Sequence, residues 1–225
     1  MLFITFEGSE GAGKTTVLKM IKEQLKQDGF DVIITREPGG SKISEQIRQV
    51  ILNKENTLMD PWTEVLLYIA ARRQHLIEKI LPNKNSNKII ISDRFSDSTL
   101  AYQGYARNLD IDKINLIQKL IFEDYQPDLT VLFDIKPETG LQRILLRKGE
   151  KLNRLDEETL EFHQKVYNGY KKIAISNPNR VHTINANLSE KKVFNSVYEL
   201  IINLVEEKGF KEKKIKIRGS NNEGK

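Results

Sequence analysis

The 225-residue sequence predicts an α/β domain with a five-stranded parallel sheet flanked by helices, followed by a short basic tail. Three observations lead there. Five short β-branched runs are apolar on both faces, as strands covered on both sides must be. Longer amphipathic stretches separate these runs, so strand and helix alternate. No internal repeat or low-complexity linker breaks the pattern before residue 208, which makes residues 1–207 one domain and 208–225 the tail.

The first strand is LFITFE (2–7) and the second DVIIT (31–35). Between them Val17, Leu18, Ile21 and Leu25 form one helical face, closed by Gly29 as the C-cap. KIIIS (88–92), LTVLFDI (129–135) and RVHTIN (180–185) supply the remaining strands. A last helix is entered at Ser189 as N-cap and buries Val193, Val197, Leu200, Ile201 and Leu204. The final 18 residues lack periodicity and are rich in Lys, Gly and Asn, as a mobile tail would be.

Composition excludes several classes. Cysteine is absent, so neither a disulfide framework nor a thiolate metal site can form. No run approaches the roughly 20 apolar residues of a membrane-spanning helix. The N-terminus meets Glu7 too soon for the apolar region of a signal peptide. The expectation is a cytoplasmic chain without a membrane partner. The formal net charge of +5 suggests nucleic acid at first sight, yet the whole excess lies in residues 208–225 and the preceding 207 residues are neutral. No nucleic-acid partner is therefore expected for the folded body.

Gly8-Ser9-Glu10-Gly11-Ala12-Gly13-Lys14-Thr15 fits G-x-x-x-x-G-K-[ST], after a predicted strand and at the start of a predicted helix. Its glycines allow backbone N–H groups to turn inward around a phosphate, and the helix N-terminus adds positive potential. Lys14 would bridge the β- and γ-phosphates and the Thr15 hydroxyl would hold Mg²⁺. The expected fold sharpens to the three-layer P-loop type, and the chain is expected to bind a nucleoside triphosphate.

A guanine-reading Asn-Lys-x-Asp is missing: Asn53-Lys54 is followed by Glu55-Asn56, and Asn83-Lys84 by Asn85-Ser86. The third strand ends Ser92-Asp93-Arg94, an acid followed by a base, where a hydrolytic ATPase carries paired acids. A guanidinium in that place points away from water activation and toward a second anionic substrate. A phosphate monoester is largely dianionic at neutral pH and needs no general base to attack. Catalysis then reduces to positioning and charge neutralisation, which calls for several cations, guanidiniums above all. Arg36, Arg48, Arg72, Arg94, Arg147 and Arg154 all fall at strand ends, loops or helix faces able to reach the carboxyl edge of the sheet.

These residues resemble the thymidylate kinase family, over about residues 1–207. Phe6–Thr16 is similar to its bacterial P-loop with an acid inside, in which Gly8, Ser9, Glu10, Gly11, Ala12, Gly13, Lys14, Thr15 and Thr16 would hold ATP. Thr35–Gly40 resembles its REPGG loop, bringing Glu37 and Pro38 to the acceptor wall. Leu66–Arg72 is similar to its thymine-pocket helix, with Tyr68 where the family usually has Phe. Tyr68 and Arg72, four residues apart, share a helix face. Asp93-Arg94-Phe95 with Ser98–Gly104 resembles the DR(Y/H/F) segment, and Asn153–Asp156 stands at the lid.

The resemblance implies ATP- and Mg²⁺-dependent conversion of dTMP to dTDP by a cytoplasmic homodimer. Tyr68 would stack on thymine, Arg72 would donate to O4, and Thr99 and Gln103 would complete the base edge. Tyr102 would pack beneath the sugar and crowd a 2′-hydroxyl. Arg48 and Arg94 would clamp the acceptor phosphate, and Glu10 would reach the 3′-hydroxyl or a magnesium-bound water. Thr15 and Asp93 would serve the metal. In the segment at about 147–156, Arg147 and Arg154, with Arg143 as a further candidate, would act with Lys14, Arg94 and Glu10 in catalysis. Three alternatives stay open: another mononucleotide acceptor, dUMP included; nucleotide-dependent nucleic-acid binding through the tail; and a catalytically degraded regulatory homologue.

Overall fold

The computed structural model describes residues 1–122, 125–146 and 153–210. β1 (Leu2–Glu7) leads to α1 (Lys14–Gln27), and β2 (Asp31–Arg36) to α2 (Lys42–Leu52) and α3 (Pro61–His75). β3 (Lys88–Asp93) is followed by the short α4 (Ser96–Thr99), which runs on as a π-helical segment over Leu100–Ala106. Then come α5 (Ile111–Phe122), β4 (Leu129–Asp134), α6 (Pro137–Leu145), α7 (Leu160–Ser176), β5 (Val181–Asn185) and α8 (Glu190–Glu207). The five strands are parallel in the order β2-β3-β1-β4-β5.

All five expected strands are present, with ends shifted by one residue at most. β2 and β3 each run one residue longer than the apolar pattern suggests, because the pairing of Arg36 with Asp93 continues the ladder beyond the last apolar side chain. That pairing sets a cation and an acid side by side at the carboxyl edge. β1 is central and wholly buried, and even its polar Thr5 finds a partner across the sheet, the Thr130 hydroxyl at 2.8 Å.

Alternate strand residues feed the two faces, as a pleat requires. Leu2, Ile4, Phe6, Ile89, Ile91, Val131 and Phe133 meet Val17, Leu18, Ile21 and Leu25 of α1 and Val193, Val197 and Ile201 of α8. Phe3 and Ile90 face the other way, against Val65 and Ile69 of α3 and Ile114 of α5. Gly29 follows the α1 C-cap at φ 88, a conformation glycine adopts without strain. Ser189 caps α8 by backbone conformation but its side chain makes no capping bond. Asp60 and Thr159 do cap with their side chains, at the starts of α3 and α7.

Of the expected tail, residues 208–210 are described and finish α8. Phe210 N donates to Val205 O at 2.9 Å and its ring packs on the core. The rest of the tail, 211–225, lies outside the described residues. No described helix is long and apolar enough to cross a membrane.

Candidate active site

The chain leaves β1 and β4 in opposite directions, and the carboxyl ends of these two paired strands carry the P-loop and the start of α6. Such a divergence opens a crevice where α/β sheets bind ligands. Here the crevice is lined by tight backbone contact. Gly11 has φ 71, and a Cβ there would sit 2.1 Å from the Gly140 carbonyl oxygen. A Cβ on Gly140 would in turn sit 2.3 Å from the Glu10 oxygen. Gly140 escaped the sequence reading. Its signal was a glycine inside a helical pattern, which often has a packing reason.

Lys14 is buried in the first turn of α1, and its ammonium donates to the Gly8 and Ser9 carbonyls at 2.9 and 3.0 Å. Burial and the Arg94 charge lower its pKa to about 8, against the pull of Glu10, Asp93 and Glu7. The Thr15 hydroxyl donates to Asp93 Oδ2 at 3.3 Å. These two hard oxygen donors suit Mg²⁺, which takes one or two protein oxygens and completes its shell with phosphates and water. Among the described residues no group of three His, Cys, Asp or Glu could hold a metal ion, and Thr15 with Asp93 would serve Mg²⁺ only together with phosphate and water oxygens. Thr16 lies exposed on α1, away from the cavity lining.

A cavity of about 290 Å³ continues from the P-loop over β1 and β3 toward α3. Arg94 stands at its centre, with φ 74, a region that bulky side chains rarely occupy. The surroundings over-determine that conformation. Its guanidinium donates to Glu10 Oε1 at 2.6 Å, to Gly8 O at 3.1 Å, and to the hydroxyls of Tyr170 and Tyr102 at 3.0 and 3.1 Å. It also lies 5.0 Å from the Tyr102 ring centroid. Burial would raise the Glu10 pKa, but Arg94 and Lys14 outweigh it and hold the carboxyl down at about 2.

Beneath Arg94, Glu7 accepts from Phe95 N, Ser98 Oγ and Tyr170 OH at 2.6–2.9 Å. Burial and the neighbouring Asp97 charge raise its pKa to about 7, against Arg94 and these donors. Asp97 is itself paired with Arg180 at 2.7 Å. Glu7 and Tyr170 are support residues that the sequence patterns did not single out.

The far wall is a network of buried ions. Arg72 is 1% exposed, and four of its donors are engaged: Nε with Glu37 Oε2 at 2.6 Å, Nη1 with Gln118, and Nη2 with Phe95 O and Thr99 Oγ1. The guanidinium has five N–H groups, which leaves one on Nη1 without a partner among the described residues. Glu37 Oε1 pairs with His75 Nδ1 at 2.8 Å, and His75 Nε2 with Thr35 Oγ1 at 2.6 Å. Arg48 Nη1 donates to Pro38 O at 2.9 Å, and Arg36 holds Glu45 at the rim. Tyr68 is buried one turn from Arg72, and burial, with Glu64 adding, pushes its hydroxyl well above the usual phenol range.

Glu64 lies a further turn back on the same α3 stripe, buried. Gln103 Nε2 donates to its Oε1 at 2.6 Å, and Arg154 Nη2 and the more distant Arg107 pair with Oε2. Burial works against its charge, but Arg107, Gln103 and Arg154 outweigh that and hold its carboxyl below the ordinary range.

The structure thus gathers Glu10, Gly11, Ala12, Gly13, Lys14, Thr15, Glu37, Pro38, Arg48, Tyr68, Arg72, Asp93, Arg94, Tyr102 and Gln103 around one cavity. Gly8 and Ser9 stand behind the loop as carbonyl acceptors. Besides Thr16, two expected positions differ. Thr99 does not line the cavity; it accepts from Arg72 behind the wall. Arg154 does not reach the P-loop, because Glu64 and the Ile51 carbonyl hold its guanidinium on the α3 side. Asn153 and Leu155 beside it do line the cavity. Arg143 donates to Ala186 O at 3.2 Å. Arg147, with the rest of 147–152, lies outside the described residues.

A P-loop facing a second, cation-lined half-cavity defines a phosphotransferase of the nucleoside monophosphate kinase class. Comparison with known proteins narrows this. The family model described as thymidylate kinase matches residues 6–197, and the chain belongs to that family. It is 53% identical to the thymidylate kinase of Clostridium novyi (strain NT), over 87% of this chain and 95% of that one. It is 49% identical to that of Oceanobacillus iheyensis, over 99% and 95%. The crystal structure of thymidylate kinase from Ehrlichia chaffeensis superposes with a TM-score of 0.71 at 33% identity, covering 89% of this chain and 98% of that one. The chain is thus an ATP-dependent kinase, and the family's function is phosphorylation of dTMP.

Proposed function

We propose that the cavity carries in-line transfer of the ATP γ-phosphoryl group to dTMP with Mg²⁺, through the residues gathered there. The observation that carries this assignment is the Gly8 carbonyl. It accepts from Lys14 at 2.9 Å and from Arg94 at 3.1 Å, so the donor-side and acceptor-side cations meet at one backbone atom. Two phosphates drawn to these cations would meet end to end.

On the donor side, the N–H groups of residues 8–16 receive the ATP phosphates and Lys14 neutralises the β–γ bridge. Thr15 and Asp93 would hold Mg²⁺ by their oxygens, and the ion when bound would supply neutralisation of phosphate charge. On the acceptor side, Arg48 and Arg94 hold the dTMP phosphate, with Glu37 and Pro38 as its wall. Tyr68 lies against the base, and the remaining Nη1–H of Arg72 reads O4. Thr99 acts through Arg72, by accepting from its Nη2. Tyr102 closes on the sugar, and Glu10 takes the 3′-hydroxyl or a magnesium-bound water. Arg154 contributes at the γ-phosphate by exchanging Glu64 for the nucleotide. No general base is required, because the acceptor oxygen is already anionic.

The protein works as a cytoplasmic homodimer. Leu66 on α3 and Leu116 and Leu120 on the adjacent α5 are exposed, Leu120 at 72%, and a second copy would cover this face. Sedimentation at micromolar protein checks it, since a monomer there would contradict the assembly. The assignment as a whole is tested by ADP release across dTMP, dUMP, dCMP, dGMP and AMP. The expected result is fastest turnover of dTMP, and faster turnover of AMP would overturn it.

A further inference from the structure

We propose that Glu64 determines which face of the acceptor base the cavity accepts, by locking the amide of Gln103. This rests on the assignment of the Arg72–Gln103 wall to the base. An amide side chain presents either a donor or an acceptor, and nothing intrinsic to Gln103 chooses between them. Glu64 does. An ionised carboxylate only accepts, and Gln103 Nε2 lies 2.6 Å from its Oε1. Turning the amide over would set two acceptor oxygens at that distance in a buried site, with no donor between them.

Oε1 of Gln103 accepts no hydrogen bond from any described residue, and Gln103 lines the cavity beside Arg72. The wall therefore presents a locked acceptor next to the spare Nη1–H of Arg72. That pair matches a pyrimidine carrying an N3–H donor and an O4 acceptor. A cytosine ring offers the reverse, a bare N3 and an amino group, and meets acceptor with acceptor and donor with donor. The lock holds because Glu64 keeps its charge beside Arg107, whose Nη2 lies 3.4 Å from Oε2 and Nε 3.5 Å from Oε1, even when Arg154 moves to the nucleotide. Glu64 is thus a positioning residue, set behind Gln103 and outside the cavity lining.

Removing the lock should relax selection without removing the readers. In Glu64→Gln the amide of Gln103 can pair in either orientation. The ratio of kcat/KM for dTMP to that for dCMP should fall by about tenfold, the scale of one well-placed polar contact to a base. Most of the change should appear as a higher dTMP KM and a lower dCMP KM. Arg107→Gln loosens Glu64 without removing its acceptor oxygens, and should lower the ratio by less than Glu64→Gln does. Because Glu64→Gln strands the Arg154 charge, the double variant Glu64→Gln/Arg154→Gln carries the same ratio test if the single variant does not fold. A folded variant whose ratio stays within threefold of wild type would overturn the proposal. A wild type that does not prefer dTMP over dCMP would instead overturn the assignment of the wall itself.

Discussion

The two halves of the cavity are built on opposite principles. The donor half is mostly backbone: eight consecutive residues after one strand, shaped by glycines that approach Phe133 and Gly140 too closely for any side chain. The acceptor half is mostly buried polar side chains, Glu37, Glu64, Arg72 and His75, drawn from the β2–α2 loop and α3 and tied to Thr35, Gln103, Gln118 and Arg154 elsewhere. A triphosphate presents the same anionic oxygens whatever its base, so a row of N–H groups is enough to hold it. A base must be told from its analogues by donor and acceptor pattern, and that requires side chains held in one orientation by partners of their own.

Three substitutions press on this contrast, in order of expected size. Lys14→Ala should reduce kcat by about a thousandfold, since it removes charge at the transferring phosphoryl group, while dTMP binding measured by calorimetry stays within about threefold. An equal loss in dTMP affinity would mean that the halves are not separable. Arg72→Ala should do the reverse. Its kcat/KM for dTMP should fall about a hundredfold with the ATP KM little changed, and preference over dCMP should drop with it. Unfolding should also come at lower denaturant, because the Glu37 carboxylate loses its closest cation in the interior. Unchanged selectivity over dCMP in that variant would remove Arg72 from base recognition.

The smallest effect concerns Glu7, which closes the donor strand and accepts from Phe95, Ser98 and Tyr170 of the acceptor half. Its carboxyl is raised from 4.5 to about 7 in the fold, by burial first. The native state therefore keeps this proton longer than the unfolded chain. The stabilisation it brings is complete below about pH 4.5 and is lost as pH rises through about 7. Thermal unfolding of wild type should decline over that window by about 5 °C relative to Glu7→Gln, in which the proton is no longer exchanged. Parallel melting curves for the two proteins would mean that Glu7 does not titrate in the fold.

Much of the fold and about half of the site were legible in the residues. Strand runs such as KIIIS and LTVLFDI name their own conformation, because a strand buried on both faces has no polar positions to blur it. The P-loop was legible for a related reason: its function depends on backbone shape, and backbone shape depends on neighbours in sequence. Tyr68 and Arg72 could be placed together because helical periodicity relates them. Thr99 was assigned one layer too far forward, since nothing local tells whether a hydroxyl faces the ligand or the arginine that reads it.

Local patterns in the chain thus determined the five strands, the phosphate loop with Lys14 and Thr15, and the pair Tyr68–Arg72, all set by contacts within a few residues. Only the tertiary structure decided that Gly11 and Gly140 must both lack a side chain, that Glu64 faces Gln103 and Arg154, and that Lys14 and Arg94 meet at the Gly8 carbonyl. These contacts join residues that lie as much as 129 positions apart in the sequence. The physical reason is that a buried ion or a close backbone approach is specified by its partner, and the partner is fixed by how the sheet brings distant loops to one edge.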